Sequence, residues 1–585
     1  MDNQRLLIWV TFGVLLWLTW QAWMQDYGPR PEPAAPVTRE AAPPPVAEPG
    51  AVPELPESAA EPAPGEATAA PRDRVPEGEA AAPEVIRVRT DVLDVEISTR
   101  GGTLQRAVLL DYPVHKDRPE ELVTLLSRDR DNLGLVQAGL IGRGEGPQPN
   151  HLADFEAERL EYTLGEDDEL RVSLTWSNDQ GLSVVKQYTF ERGSYIIRLE
   201  QTVVNDGDAP WEGAPYAQIL RHSVPQDRSM FDVDTYSFHG PLFYDGNKAS
   251  KLDRDDLLSD GPFKASVTDG WVAAIQHHFL VAVVPPAGTR QHFTIGVADD
   301  VATASVISDT HSVAPGTGTT FSQVLFVGPK LQEQLEQVTD SLTLAVDYGW
   351  LTILSEPLFW LLSWVHGFVH NWGVAIIIVT ILIKLVFYKL TEASGRSMAK
   401  MRELAPRMKA LQERYKDDRQ QLSQAMMELY RREKVNPAAG CLPLLIQMPF
   451  FLAFYWVLLE SVEMRQAPFM LWIDDLSSRD PYFILPLIMG AAMFFQQKLN
   501  PAPADPVQAR VMQIMPLVFT VFFAFFPSGL VLYWVTNTIL SIAQQWRINK
   551  VVEEESRRRR GLKTPAKGST KGGRKKGDED KPDAA

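Results

Sequence analysis

Cysteine is almost absent from this chain of 585 residues, which contains one, Cys441. A single cysteine excludes a disulfide within the chain and a zinc site built from several thiolates. Any large domain outside the cytoplasm must therefore be stabilised by its apolar core alone. Motifs for phosphate loops, nucleophile elbows and metal sites are missing as well. The sequence therefore predicts a protein that is not an enzyme and that has no cofactor and no metal.

Charge is distributed unevenly behind the net value of −17. Most of the acidic residues lie within 27–350, whereas residues 389–434 contain 12 Lys and Arg against 7 Asp and Glu. The chain from Arg547 onwards contains 13 Lys and Arg against 7 Asp and Glu. Basic segments that flank membrane spans remain on the cytoplasmic side. Both basic segments are therefore predicted to be cytoplasmic.

The N-terminal part predicts an anchor followed by a tether. Residues 6–23 are apolar and nearly reach the ~20 residues that span a bilayer. An uncleaved anchor over 1–26 is favoured over a signal peptide, because Trp20, Gln21 and Trp23 occupy the place of the small residues at a cleavage site. Residues 27–84 are rich in Pro, Ala and Glu, a composition typical of a disordered linker.

Residues 85–328 alternate between apolar and polar side chains in short runs separated by turn signals. This pattern predicts a large all-β sandwich. A helical period over 330–347 closes the domain, which is placed at 85–350. His277 and His278 are adjacent, and adjacent residues of a strand point to opposite faces. They are therefore expected to be ordinary core or surface histidines rather than a sugar-active pair.

The C-terminal half predicts membrane helices. An aromatic-rich stretch that begins at Pro357 favours an interfacial helix over 351–371, with an extension of the next span as the alternative. Five spans are predicted at about 372–390, 441–460, 482–499, 511–526 and 528–546. With the anchor they make six transmembrane helices, which place both termini in the cytoplasm and the β-domain outside. The five-helix core thus covers 372–546, and a basic tail covers 547–585.

A cytoplasmic helical hairpin is predicted over 392–434, between the first two core spans. Apolar residues at a 3-4-3-4 spacing form one seam on its first helix. The seam consists of Met401, Leu404, Met408, Leu411 and Tyr415. Asp417 and Asp418 break that helix before a second one begins. Packing of the hairpin on itself and docking of a partner both remain open.

Lys384 lies within an otherwise apolar run, where a cation costs roughly 2.5–3.5 kcal/mol at the centre of a membrane helix. Helical spacing places polar residues on shared faces of three spans. These residues are Thr380, Lys384 and Tyr388 in one span, Gln447 in another, and Tyr533, Asn537, Ser541 and Gln544 in the last. A common hydrated groove would explain them together. Hydrogen bonds between helices and snorkelling of Lys384 are the alternatives.

Eight stretches resemble the YidC family of bacterial membrane insertases in its Gram-negative form. They are 397–401, 433–437, 441–449, 462–468, 471–473, 480–482, 484–490 and 526–533. The resemblance implies an inner-membrane protein that inserts and helps fold membrane proteins through a hydrophilic groove, alone or with the Sec translocon. Its implied partners are nascent membrane proteins and ribosomes that meet the cytoplasmic loops, and the basic tail alone favours anionic lipids or RNA.

The resemblance also implies residue roles. Lys384 stands where the family usually has an arginine, which preserves the charge but loses the planar fork. Gln447 matches a groove-facing glutamine, and Trp534 stands beside Tyr533 where a second tyrosine is common. Lys389 replaces a frequent proline. The β-domain is similar to galactose-mutarotase-like supersandwiches, which implies no enzymatic role here.

Two other classes of function remain as alternatives. A transporter could use Lys384 as an anion site, although the spans show no repeat. A membrane-anchored sugar-binding domain would leave the five core spans unexplained.

Overall fold

The computed structural model describes residues 50–55, 83–143, 146–223, 237–415, 418–433, 435, 442–499 and 506–559. The predicted anchor, most of the predicted linker, Asp417, Cys441 and the tail beyond 559 lie outside these ranges. The chain forms two compact units. The β unit comprises Pro29–Thr352 and Trp456–Gln466. Among the described residues, the helical unit comprises those within Ile353–Tyr455 and Ala467–Ala585.

The described part of the β unit contains twenty strands. They are β1 (Val85–Arg89), β2 (Leu93–Ser98), β3 (Leu104–His115), β4 (Arg118–Leu126), β5 (Gly134–Gly142), β6 (Glu156–Ala157), β7 (Glu161–Thr163), β8 (Glu169–Ser177), β9 (Leu182–Glu191) and β10 (Ile196–Asn205). The second ten are β11 (Trp211–His222), β12 (Gly240–Tyr244), β13 (Ala249–Lys251), β14 (Phe263–Thr268), β15 (Trp271–Ile275), β16 (Phe279–Val284), β17 (Arg290–Ala298), β18 (Val301–Ser308), β19 (His311–Val313) and β20 (Thr317–Pro329). Two short helices accompany them, α1 (Arg254–Ser259) and α2 (Gln332–Val338).

The strands form two sheets. One has eleven strands, in the order β14-β17-β18-β11-β5-β3-β2-β1-β7, with β19 paired to β11 and β4 to β3. The other has nine, in the order β13-β12-β15-β16-β20-β10-β9-β8-β6. Alternation is visible in β10, where Leu199 is buried and its neighbours Arg198 and Glu200 are exposed. The prediction of a large all-β domain is confirmed.

The histidine pair differs from its prediction. His277 and His278 lie in the connection between β15 and β16, and their ring centroids are 3.7 Å apart in a stacked arrangement. The expectation that the two side chains point apart is wrong, because a turn rather than a strand carries them. His277 Nε2 lies 2.9 Å from the Leu459 carbonyl oxygen. Burial lowers the pKa of His278 well below its ordinary value.

The helical unit contains the remaining helices. They are α3 (Thr352–Val369), α4 (Trp372–Val386), α5 (Tyr388–Arg414), α6 (Arg419–Arg432), α7 (Leu442–Glu460), α8 (Ile484–Leu499), α9 (Pro506–Phe523) and α10 (Ser528–Arg559). The first residue of α3 and the last turn of α7 group with the β unit. Helix α3 begins before Pro357, which lies inside it rather than at its start. Helix α10 continues well beyond the predicted end at 546, because Ile548 and Val552 are buried against Ala399 of α5.

The first core span is not one straight helix. Phe387 leaves the helical conformation, and α4 and α5 meet at a bend of 69°. Within the described ranges no single helix is both long and apolar enough to cross a membrane, whereas this bent pair meets the criteria jointly. The number of six spans stays a prediction.

The hairpin of α5 and α6 packs on itself. Leu404 and Met408 are buried with Val435, and the half-buried Met401 and Met426 pack against them. Leu411 and Tyr415 are half-buried farther along the first helix. The Asp418 side chain caps α6, since it accepts hydrogen bonds of 2.9 Å from the backbone N–H groups of residues 420 and 421. Most of the predicted seam is therefore used inside the hairpin.

Candidate functional site

Four polar side chains from three helices form a connected hydrogen-bond network. The Lys384 ammonium on α4 donates to Asn537 Oδ1 at 2.9 Å and to Ser541 Oγ at 2.6 Å on α10. Gln447 Nε2 on α7 donates to the same Asn537 oxygen at 2.8 Å. Asn537 therefore joins α4 and α7 through one amide oxygen.

Local structure positions the two α10 residues. Asn537 and Ser541 are four residues apart and share a helix face. The Ser541 hydroxyl donates to the Asn537 carbonyl at 2.7 Å, which leaves its lone pairs to accept from Lys384. The start of α10 is fixed by Ser528, whose N–H donates to the Ser478 carbonyl at 2.7 Å and whose hydroxyl donates to the Asp475 carbonyl at 2.7 Å.

Helix α4 is anchored at its other end. Asn371 caps it by accepting from the Val374 N–H at 3.0 Å. The Asn371 amide also donates to the Phe469 carbonyl at 2.9 Å. A capped, anchored start sets the rotation of α4 and hence the direction in which Lys384 extends.

The electrostatics of the network are unbalanced. Lys384 is half-buried, and its recorded partners are a neutral amide and a neutral hydroxyl. Across the described ranges no carboxylate lies within ion-pair distance of its ammonium. Neutral oxygens compensate a cation less than a carboxylate does. The charge therefore remains available to an anionic group that reaches this network.

Thr380 and Tyr388 do not join the network as predicted. Thr380 is 2% exposed, and its hydroxyl donates to the Ile376 carbonyl of its own helix at 2.6 Å. Tyr388 begins α5 after the break, so the predicted continuous helical face from Thr380 through Lys384 to Tyr388 is wrong at its last member. The Tyr388 carbonyl accepts from Gln544 Nε2 at 3.3 Å instead.

Tyr533 and Trp534 belong to an aromatic cluster between α7, α9 and α10. Tyr533 is 2% exposed and stacks on Phe454 with ring centroids 4.6 Å apart. Trp534 lies edge-on to Phe451 at 4.9 Å and 5.4 Å from Phe523. The sequence predicted that Tyr533 lines a hydrated groove, but Tyr533 is a packed core residue.

Ser541, which the sequence placed on the face of Asn537, is a direct partner of Lys384. Two further residues beside the network were left out of the predicted groove. Phe451 and Phe454 follow Gln447 by four and seven residues, and this spacing places them on the Gln447 face of α7. Helix α7 is apolar along most of its length, so its aromatic residues do not mark a separate face in the sequence.

The chain matches two family models. One is described as the 60Kd inner membrane protein and matches residues 364–555, and the other is the YidC periplasmic domain over residues 85–361. Fold and matches thus define an inner-membrane protein with a large periplasmic β-domain. The membrane protein insertase YidC of Thioalkalivibrio sulfidiphilus is 48% identical over 571 residues, which cover 95% of this chain and 100% of that relative. The chain belongs to the YidC family.

Two solved structures are similar to parts of the chain. An active YidC insertase crystal structure is 20% identical and covers 79% of this chain and 94% of its own, with a TM-score of 0.37. A galactose mutarotase related enzyme from Lactobacillus acidophilus is 14% identical and covers 42% of this chain and 97% of its own, with a TM-score of 0.29.

Proposed function

We propose that this chain inserts proteins into the cytoplasmic membrane and helps them fold, through a groove lined by the network around Lys384. The observation that carries the proposal is the Lys384 ammonium, which is held by neutral partners from α10. Membership of the YidC family supports the same activity. Acidic segments of client proteins are the ligands that such a cation attracts.

The proposed mechanism lowers a barrier without covalent chemistry or nucleotide hydrolysis. A short polar segment of the client enters from the cytoplasm, and its carboxylates meet Lys384. Asn537 and Gln447 replace part of its hydration, since amides both donate and accept hydrogen bonds. The apolar helix of the client then moves into lipid, at about 25 cal/mol per Å² of apolar surface removed from water. Because Tyr533 is packed on Phe454, it acts here as a rigid wall beside the half-buried Trp534.

The proposed arrangement in the membrane follows the sequence. The anchor at 1–26 and five core spans within 372–546 cross the membrane, with the helix over 351–371 at the interface. The linker at 27–84 and the β-domain at 85–350 are periplasmic. The hairpin at 392–434 and the tail at 547–585 are cytoplasmic, in keeping with their basic charge.

Partners are proposed from charge and from the family. Lys400, Arg402 and Lys409 are exposed on the hairpin. Arg547 and Lys550 are exposed on the extension of α10. These cations suit the RNA of a ribosome or anionic lipid headgroups. Work beside the Sec translocon is proposed from the family resemblance.

The test is insertion of a small single-span client with an acidic extracytoplasmic segment into liposomes, scored by protease protection. Native protein, Lys384→Arg and Lys384→Ala are compared. We expect the native and Arg proteins to insert the client and the Ala protein to lose about tenfold in rate, since one charge-assisted contact contributes about 1.5–3 kcal/mol. Equal insertion by all three would remove Lys384 from the mechanism. Solute flux without insertion would favour the transporter.

A further inference from the structure

A short part of the predicted linker lies on the eleven-stranded sheet. Two successive backbone carbonyls of the segment Gly50–Leu55 are bound by buried side chains of the β unit. His151 Nε2 lies 2.7 Å from the Gly50 carbonyl oxygen. Gln218 Nε2 donates to the Ala51 carbonyl oxygen at 3.4 Å. With the segment in place, His151 and Gln218 are 2% and 1% exposed.

The hydrogen bonds of His151 set its tautomer. Its backbone N–H donates to the Tyr216 hydroxyl at 3.0 Å, and its Nδ1 lies 2.5 Å from that hydroxyl. Burial lowers the pKa of the His151 ring, which favours the neutral form. The Tyr216 O–H then donates to Nδ1, so Nε2 carries the hydrogen and donates to Gly50. The orientation of the Nε2 donor is thus set by Tyr216, a residue of the sheet and not of the segment.

The apolar contacts of the segment come from two side chains. Val52 and Leu55 pack against a buried cluster formed by Ala214, Tyr216 and Ile307. These three residues lie on β11 and β18, which are neighbours in the sheet. A pair of apolar side chains three residues apart thus fits a site whose polar groups bind only the main chain.

The composition of the linker explains why this part binds. Leu55 is the only leucine between residues 27 and 84. Pro53 directly follows Val52, and Pro56 directly follows Leu55. Both prolines restrict the unbound backbone, so less conformational entropy is lost on binding. Main-chain recognition with apolar pockets is a recurring way to bind extended peptides.

We propose that this face of the β-domain is a binding site for an extended peptide, and that Gly50–Leu55 is its resident ligand within the same chain. The site selects a peptide with two apolar side chains three positions apart and two free carbonyls before them. Binding fixes the linker near its middle and keeps the site filled. A linked ligand competes at an effective concentration in the millimolar range. Free peptides of this type bind only when the resident segment is displaced.

The test uses the full-length protein in detergent and a fluorescent peptide with the sequence of residues 48–57, followed by anisotropy. The site is emptied by Val52→Asp with Leu55→Asp. The matched control is Val37→Asp with Val46→Asp, which adds the same charges elsewhere in the linker. We expect saturable binding to the emptied protein and about tenfold weaker binding to the native and control proteins. A peptide with aspartate at positions 52 and 55 is expected not to bind.

Two outcomes would overturn the proposal: absence of binding to the emptied protein, and equal binding to all three proteins. A second emptied variant, Val52→Ser with Leu55→Ser, avoids new charge and answers the same question if the aspartates disturb folding. The readout does not depend on insertion activity, so its result is separate from that of the Lys384 experiment.

Discussion

Asn537 is the residue on which the polar network depends, because its amide oxygen accepts from both Lys384 and Gln447. Asn537 is polar by residue type, and its spacing of four residues places it on the same helix face as Ser541. Its role as the shared acceptor required three helices to meet. The charge of the side chain at position 537 therefore decides how positive the site is.

Changing Asn537 to aspartate should neutralise the site. The new carboxylate would occupy the place of the amide oxygen, 2.9 Å from the Lys384 ammonium, and form an ion pair there. We expect insertion of a client with an acidic segment to fall by about tenfold, given 1.5–3 kcal/mol for a hydrogen bond to a charged group. Asn537→Ala, which removes the acceptor without adding charge, is the control. Equal losses in the two variants would show that packing rather than charge matters.

Lys186 makes the stability of the β-domain depend on pH. It is fully buried and donates to the carbonyls of Gly101 and Ala138 at 2.6 and 2.7 Å. Burial lowers its pKa to about 7, whereas the unfolded chain has the ordinary value of 10.5. Between these values the unfolded state binds more protons at Lys186, so the contribution of Lys186 to stability rises with pH from about 7 to about 10 and is level below 7.

Thermal unfolding of the full-length protein at pH 7, 8 and 9 checks this expectation. The melting temperature should rise with pH in the native protein and rise less in Lys186→Met, which preserves the length of the side chain without its charge. Burial lowers the pKa of Lys330 to about 8. Lys330 therefore accounts for the rise of melting temperature with pH that remains in Lys186→Met. Identical slopes in both proteins would contradict the assignment to Lys186.

At the scale of elements, the hairpin of α5 and α6 shows which face of α6 packs against α5. Met426 packs on the cluster of Leu404 and Met408, whereas the adjacent Met427 is 45% exposed. The apolar spacing predicted the seam on the first helix. It did not decide between self-packing and an open docking surface, because both use the same residues.

Neighbouring methionines provide a matched test of the hairpin. We expect Met426→Asp to speed trypsin cleavage within residues 400–432 severalfold, since a charge placed against the apolar cluster of Leu404 and Met408 destabilises the packed state. Met427→Asp adds the same charge on the exposed side and should leave the cleavage rate unchanged. Similar rates for both variants would mean that the hairpin does not pack on itself in solution.

At the scale of the whole molecule, the chain divides into two units with separate cores. Phe326 is fully buried in the β unit, on a strand between β10 and β16. Phe326→Ala should destabilise that unit by about 3–5 kcal/mol. Hydrogen exchange measured by mass spectrometry should rise across the strands and not in α5 and α6. A rise in both places would indicate one cooperative unit.

Composition and periodicity alone predicted a large all-β domain followed by a region of apolar helices. Alternating runs predicted the strands, long apolar runs predicted the core helices, and the isolated Lys384 indicated the position of the site. Each of these signals is local, since it depends on residues within a few positions of one another. They can therefore be recognised in the sequence without knowledge of the fold.

Only the tertiary structure decided which side chains meet. Lys384 and Asn537 are far apart in sequence, as are His151 and Gly50, and no local period connects them. The break at Phe387, the burial of Tyr533 on Phe454 and the stacking of His277 on His278 depend in the same way on how elements pack and turn. Packing selects one arrangement among several that the same local pattern allows, because contact energies depend on distance in space rather than along the chain.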